Sequence, residues 1–171
     1  MRARALNGGP PSRPPPFFVI LRGPLGVGKT SVSHALAQAI GGQVVSIDEI
    51  VEADWDGGSL GLYLNGNRVA EERARPLLAK GVPVIFDGCF YWKGQIRDLE
   101  RRLHHAHTVV TLNAPLAVCI ERDSHRALVH GADAAREVYR KATRFDWGIP
   151  IDATQSIPAQ LREIRRHLPR G

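Results

Sequence analysis

A chain of 171 residues suffices for one domain with its own core, and the lack of any apolar run of bilayer length argues against a helical membrane span. The formal net charge of +6 points first to nucleic acid, but the excess sits at the two ends: Arg2, Arg4 and Arg13 in residues 1–16, and Arg162, Arg165, Arg166 and Arg170 against Glu163 in residues 162–171. The body between is balanced, whereas a nucleic-acid binder carries a basic stripe on its folded surface. Cys89 and Cys119 match no metal or redox spacing, and the N-terminus lacks the apolar segment of a signal peptide, so both read as reduced thiols of a cytoplasmic protein.

Residues 1–16, with Gly8-Gly9-Pro10-Pro11 and Pro14-Pro15-Pro16, read as a disordered or polyproline lead-in, leaving 17–168 as one domain. Apolar strand candidates follow at Phe17–Arg22, Gln43–Ile47, Pro83–Phe86, Thr108–Leu112 and Ile149–Ile151. Their apolar character is continuous rather than alternating, which predicts burial on both faces of a parallel sheet. Helix candidates lie between and after them at Thr30–Ile40, Arg68–Lys80, Gly94–His104, Pro115–Arg126, Ala132–Arg144 and Pro158–His167. The alternation predicts a doubly wound α/β fold, in which ligands bind beyond the carboxyl ends of the strands.

The strand ends carry the chemistry. Gly23-Pro24-Leu25-Gly26-Val27-Gly28-Lys29-Thr30 fits G-x-x-x-x-G-K-[ST] between the first strand and a helix that begins with Thr30 and Ser31. A chance match in a chain this long is on the order of one in two hundred at ordinary residue frequencies. Such a loop turns backbone N–H groups onto one anion at a helix N-terminus, with Lys29 reaching the β- and γ-phosphates and the Thr30 hydroxyl on Mg²⁺. Asp48, after the second strand, is the candidate general base, with helix capping as the alternative role. Asp87 ends the apolar run Val84-Ile85-Phe86 as a second Mg²⁺-side acid, and Gly88 allows close approach of a substrate.

Arg122 and Arg126, four apart on one helix face, are candidates to close over a triphosphate; pairing with Glu121 or Asp123 is the alternative. Residues 55–75, glycine-rich at their start, read as the acceptor side. Arg68 and Arg73 are candidate substrate contacts there, and Trp92 of the Phe90-Tyr91-Trp92 cluster is another.

With these residues in place, roughly residues 17–165 resemble the small P-loop kinases: shikimate kinase, adenylylsulfate kinase, chloramphenicol phosphotransferase, zeta-toxin-like kinases and the kinase domain of polynucleotide kinase. The resemblance rests on Gly23–Thr30, Asp48, Val84–Gly88 and the stretch Leu112–Arg126, which looks like the strand, Ala-Pro-Leu turn and Arg-x-x-x-Arg lid entry of this group. It implies a P-loop NTPase three-layer α/β/α sandwich with a five-stranded parallel sheet and a helical lid. It further implies ATP and Mg²⁺ as cofactors, Asp48 as base, Arg122 and Arg126 in the lid, and Thr154 in the loop that cradles adenine. Ser46 stands where shikimate kinases carry a second carboxylate, and Gly88-Cys89-Phe90 replaces their glycine triplet, so shikimate is not the expected acceptor.

The expected activity is transfer of the γ-phosphoryl group to a hydroxyl of a small metabolite. Three alternatives remain open from the sequence: a polynucleotide 5′-hydroxyl or nucleotide kinase, a nucleotide-dependent regulatory ATPase, and a binding module whose loop holds phosphate without chemistry.

Overall fold

The computed structural model describes residues 15–170, so the expected lead-in lies outside the described residues except for Pro15 and Pro16. In chain order the elements are β1 (Phe17–Arg22), α1 (Lys29–Ile40), β2 (Gln43–Ser46), α2 (Ile47–Glu52), α3 (Leu60–Ala79) and β3 (Val84–Gly88). There follow α4 (Lys93–Leu103), β4 (Ala106–Asn113), α5 (Leu116–Ser124), α6 (Ala132–Ala142), β5 (Ile149–Asp152) and α7 (Ile157–Arg166). The five strands form one all-parallel sheet in the order β2-β3-β1-β4-β5.

Both faces of the sheet are covered, as the unbroken apolar runs require. Phe18, Ile20 and Phe86 point into a core shared with α2, α3 and α4. Val19, Leu21, Ile85, Val110 and Leu112 point into a second core shared with α1 and α7. The chain leaves β1 in one direction to reach β2 and leaves β3 in the other to reach β4, so the strand order reverses beside β1. Arg22 is in register with Gly88 across that reversal, and a crevice opens there at the carboxyl edge.

Most element boundaries match the sequence expectation within two residues, but two differ by more. Residues 60–67, expected as loop, are the first two turns of α3. The Ser59 hydroxyl caps that helix by accepting from Leu62 N–H at 3.1 Å, and Asp56 folds the preceding turn by accepting from Gly58 and Ser59 N–H at 3.0 and 3.1 Å. Gly61, Asn65, Gly66 and Asn67 are poor helix formers, which hid the helix start. Gly66 serves packing instead: a Cβ there would stand 2.9 Å from Val51 Cγ2, so glycine lets α3 lie close against α2. The second difference is α2 itself, a short helix that follows β2 without a loop.

Arg22, the last residue of β1, is fully buried, and its guanidinium forms no ion pair among the described residues. Its guanidinium donates to Thr111 Oγ1 at 3.1 Å and to the Ala142 carbonyl at 2.6 Å, and lies 4.4 Å from the centre of the Phe145 ring. Burial lowers its pKa to about 10, so it keeps its charge at neutral pH. It ties the end of β1 to β4 and to the residues around the end of α6, and thereby anchors the loop that starts at Gly23.

Candidate active site

The loop from Gly23 to Gly28 turns β1 into α1. Gly26 has φ +77°, and a Cβ there would meet the Cys119 carbonyl oxygen at 2.1 Å, so no other residue fits without moving α5. Lys29 folds back over the loop and donates to the Pro24 carbonyl at 3.1 Å. It is almost fully buried. Burial works against its charge, but the pull of Cys89, Asp48 and Asp87 outweighs that and holds its pKa above the ordinary value.

Asp87 lies beside it. Ser33 Oγ donates to Asp87 Oδ2 at 3.2 Å, while the buried Oδ1 has no partner among the described residues. Burial raises the Asp87 pKa, and the neighbouring Asp48 charge adds to the rise against the opposing pull of Lys29, Ser33 and Thr30. A buried carboxylate oxygen left without a donor costs energy unless a cation or water completes it.

Asp48 is on the first turn of α2, but Ser46 caps that helix, accepting from Glu49 N–H at 3.2 Å. The capping role considered for Asp48 therefore falls to Ser46, and the Asp48 carboxylate turns toward β3 instead. Its Oδ1 accepts from Cys89 N–H at 3.2 Å and its Oδ2 from the Cys89 thiol at 3.4 Å. Gly88 makes this approach possible, since a Cβ there would lie 3.4 Å from Asp48 Oδ1 and 3.1 Å from Ile47 Cβ. Burial, and after it the Asp48 charge, push the Cys89 thiol up to about 12 against the opposing pull of Lys29, so at neutral pH it is a proton donor to the carboxylate. Cys89 was read from the sequence only as a buried thiol, because no spacing rule links residues 48 and 89.

Two cavities flank this group. The first, of about 380 Å³, is lined by Gly26, Val27, Gly28, Thr30 and Ser31 together with Arg122, Arg126, Ala153, Gln155 and Gln160. Arg122 pairs with neither Glu121 nor Asp123. It donates to the Val27 carbonyl at 3.0 Å and to the Ala153 carbonyl at 2.9 Å, joining the loop to the turn after β5. Arg126 is exposed at the rim, 3.9 Å from Asp123 Oδ1. Thr154 does not line the cavity; its hydroxyl donates to Asp152 Oδ1 at 2.6 Å, and its neighbours Ala153 and Gln155 form the wall.

The sequence offers Asp123 only as an ion-pair partner for the two arginines; its larger role was not legible there. Buried at the end of α5, it accepts from the His130 and Gly131 N–H groups at 3.1 and 3.0 Å and contacts His130 Nδ1 at 3.1 Å. Burial opposes its ionisation, but these donors win and hold its pKa below the ordinary value. One carboxylate thus closes the segment 124–131 that carries Arg126.

The second cavity, of about 210 Å³, lies on the other side, walled by Trp55, Tyr63, Tyr91 and Trp92 and by α6. Trp92 therefore lines a cavity, as expected. Arg68 and Arg73 do not. α3 rises about 1.5 Å per residue and carries them toward the opposite edge of the sheet. Arg68 forms an exposed ion pair with Glu72, and Arg73 is exposed further along. The basic residues Arg162, Arg165 and Arg166 belong to α7, where Arg166 pairs with Glu163 at 2.6 Å. No helix among the described residues is long and apolar enough to cross a membrane.

A five-stranded parallel sheet with a glycine-rich loop from the central strand into a helix, and acids at the next strand ends, defines a P-loop α/β protein. The sequence matches the AAA domain family over residues 18–146, and the chain belongs to that family. No curated protein sequence matches it significantly. Among solved structures, a gluconokinase from Sinorhizobium meliloti 1021 is 20% identical with a TM-score of 0.70, covering 88% of this chain and 90% of that one. A sugar kinase from Janibacter sp. HTCC2649 is 18% identical with a TM-score of 0.76, covering 89% of this chain and 94% of that one. The Mycobacterium tuberculosis APS kinase, solved with AMPPNP and APS, is 20% identical with a TM-score of 0.72, covering 90% and 97%. At these identities the likeness is one of fold: the α/β architecture of small P-loop kinases.

Proposed function

We propose that the protein is an ATP- and Mg²⁺-dependent kinase that transfers the γ-phosphoryl group to a hydroxyl of a small molecule. The observation that carries this reading is the group of buried Lys29 and Asp87 with half-buried Asp48. It stands next to a glycine-loop cavity lined by Gly28 and Thr30 and near an aromatic recess whose Tyr63 feels the Asp48 charge. The kinase titles of the structural neighbours support it, as does the nucleotide analogue in the APS kinase structure.

In this reading the loop amides of Gly26 to Thr30 and the Lys29 ammonium hold the triphosphate, with the base in the cavity beside Arg122 and Gln160. The orphaned Asp87 Oδ1 and the Thr30 hydroxyl fit a hard cation that completes its shell with phosphate oxygens and water. No group of three or more His, Cys, Asp or Glu among the described residues could hold a metal alone, so the cation would arrive with the nucleotide. Magnesium, when bound, would neutralise charge on the β- and γ-phosphates. Asp48, aligned by Cys89, receives the acceptor's proton as the acceptor oxygen bonds to the γ-phosphorus and the bond to ADP breaks. Arg126, mobile at the rim through its long side chain, would close on the charge that develops there.

Changing Asp48 to Asn tests the assignment. The expected result is a fall in acceptor-dependent ADP release by about 10²–10⁴ with ATP affinity nearly unchanged. Wild-type turnover in D48N would remove Asp48 from the reaction. Hydrolysis of ATP at one rate whatever the acceptor would favour a regulatory ATPase.

A further inference from the structure

Resting on the kinase reading, we propose that the phosphoryl acceptor is an alcohol without a carboxylate, phosphate or sulfate group, and that it lays a ring face in the aromatic recess beside α6. The recess is about 210 Å³, below the roughly 300–1,000 Å³ typical of drug-sized ligand pockets, which suits a single substituted ring. Tyr63, Tyr91 and Trp92 brace one another edge to face or tilted, with ring centres 5.2–5.7 Å apart. Such a rigid wall offers a flat apolar face at little entropic cost. Trp55 is 61% exposed at the mouth, its ring against the turn at Gly58, where a large apolar side chain gains little unless something stacks on it.

The charges around the recess exclude an anion. Lys141 is the only cation in its lining among the described residues, and its Nζ is held 3.1 Å from Glu137 Oε1, also in the lining. Arg144 is spent on the Tyr91 carbonyl at 3.1 Å, and Lys93 lies over Phe145, 5.6 Å from the ring centre. The stretch from Asp48 to Asn67, which supplies Trp55, Gly57, Gly58 and Tyr63 to the lining, carries Asp48, Glu49, Glu52, Asp54 and Asp56 and no Lys or Arg. A carboxylate or phosphate entering this field would lose its hydration without gaining a cation.

The recess shares its tyrosine walls with the surroundings of the base. The Tyr63 and Tyr91 hydroxyls and the Cys89 thiol lie close enough to shift one another's ionisation, and Cys89 in turn bonds Asp48. Burial and the Asp48 and Cys89 charges raise both tyrosines, so they stay neutral and serve ring hydroxyls as donors or acceptors.

The test is ADP release by the full chain with Mg·ATP and matched ring alcohols: glucose, phenyl β-glucoside, myo-inositol and glucosamine against glucuronate and glucose 6-phosphate. The expected result is a kcat/KM at least about tenfold higher for non-anionic compounds, and a Trp92→Ala variant whose acceptor KM rises about tenfold with ATP affinity unchanged. Trp92→Phe should restore most of the loss, which a merely structural role in starting α4 would not require. Stimulation mainly by the anionic compounds, or an unchanged acceptor KM in W92A, overturns the inference and leaves the kinase standing. If the protein binds ATP but no compound of either kind accelerates ADP release, the kinase reading fails and this inference with it. Preference for glucosamine over glucose would assign the acidic wall to a cationic ring, and equal rates would assign the aromatic wall alone; both outcomes support it.

Discussion

The cavity next to Lys29 and the recess whose Tyr63 and Tyr91 neighbour Asp48 and Cys89 are built by opposite means. On the glycine-loop side, backbone amides and carbonyls do most of the work, and even Arg122 acts by holding the Val27 and Ala153 carbonyls. On the aromatic side most of the wall is side chain: apart from Gly57 and Gly58, it is made by Trp55, Tyr63, the pair Tyr91 and Trp92, and residues of α6. A backbone-built site recognises what every nucleoside triphosphate shares, because peptide dipoles are the same in any sequence. A side-chain-built site is free to change its ligand, since each wall residue is replaceable without disturbing the sheet. That contrast explains why the phosphate donor is far easier to read here than the acceptor.

Variants at the junction should separate the two sides, and the largest effect should come from Lys29. Lys29→Ala removes the buried ammonium, and we expect turnover to fall by about 10³ with ATP affinity also reduced, measured by calorimetry and initial rates. Asp48→Asn should match the loss in turnover and leave calorimetric ATP affinity alone; equal loss of affinity in both variants would mean that the junction does not divide the sides. Asp123→Ala strips three donors of their acceptor at the rim of the nucleotide side and should cost about 1–3 kcal/mol in urea unfolding. The Asp123 contribution is complete above its ordinary value of 3.8 and is lost as pH falls through the depressed native value, so wild type and variant should converge in strong acid.

Asp87 should behave in the opposite sense. Its native pKa is raised, so its favourable contribution to folding exists below the ordinary 3.8 and is lost as pH rises through the native value. Asp87→Asn should therefore raise the melting temperature of the nucleotide-free protein at neutral pH by about 2–4 °C while abolishing Mg²⁺-dependent nucleotide binding. In the wild type, that binding should weaken as pH falls through the raised native pKa of Asp87. The smallest effect is expected at the positioning thiol: Cys89→Ala removes one weak hydrogen bond to Asp48 and should lower kcat by about two- to tenfold, with Cys89→Ser recovering it. No change in kcat for C89A would mean that the Cys89 backbone N–H alone orients the base.

The sequence-legible parts share a physical feature. Continuous apolar runs needed two covered faces, and the glycine-lysine-threonine turn needed a strand before it and a helix after it; both are local patterns with one sensible tertiary solution. Asp48 and Asp87 were legible because a doubly wound sheet puts every strand end on one edge. The start of α3 was not, because Gly61, Gly66 and the two asparagines oppose helix locally, and only the Ser59 cap and the contact with Val51 overrule them. Arg68 and Arg73 looked like acceptor contacts because the expected helix began at Arg68; with eight residues of α3 before it, both lie further along the helix and outside the aromatic recess.

By itself, then, the order of residues determined the layering, the phosphate-binding turn and the acids at its edge, since each follows from spacing and from chain continuity. Tertiary structure alone decided that Ser46 caps α2 and frees Asp48, that Cys89 aligns it, that Asp123 closes the rim, and that Arg22 is buried at the end of β1. Those contacts join residues dozens of positions apart or depend on which neighbour wins a hydrogen bond, and that competition is resolved only when the sheet and helices exclude water together.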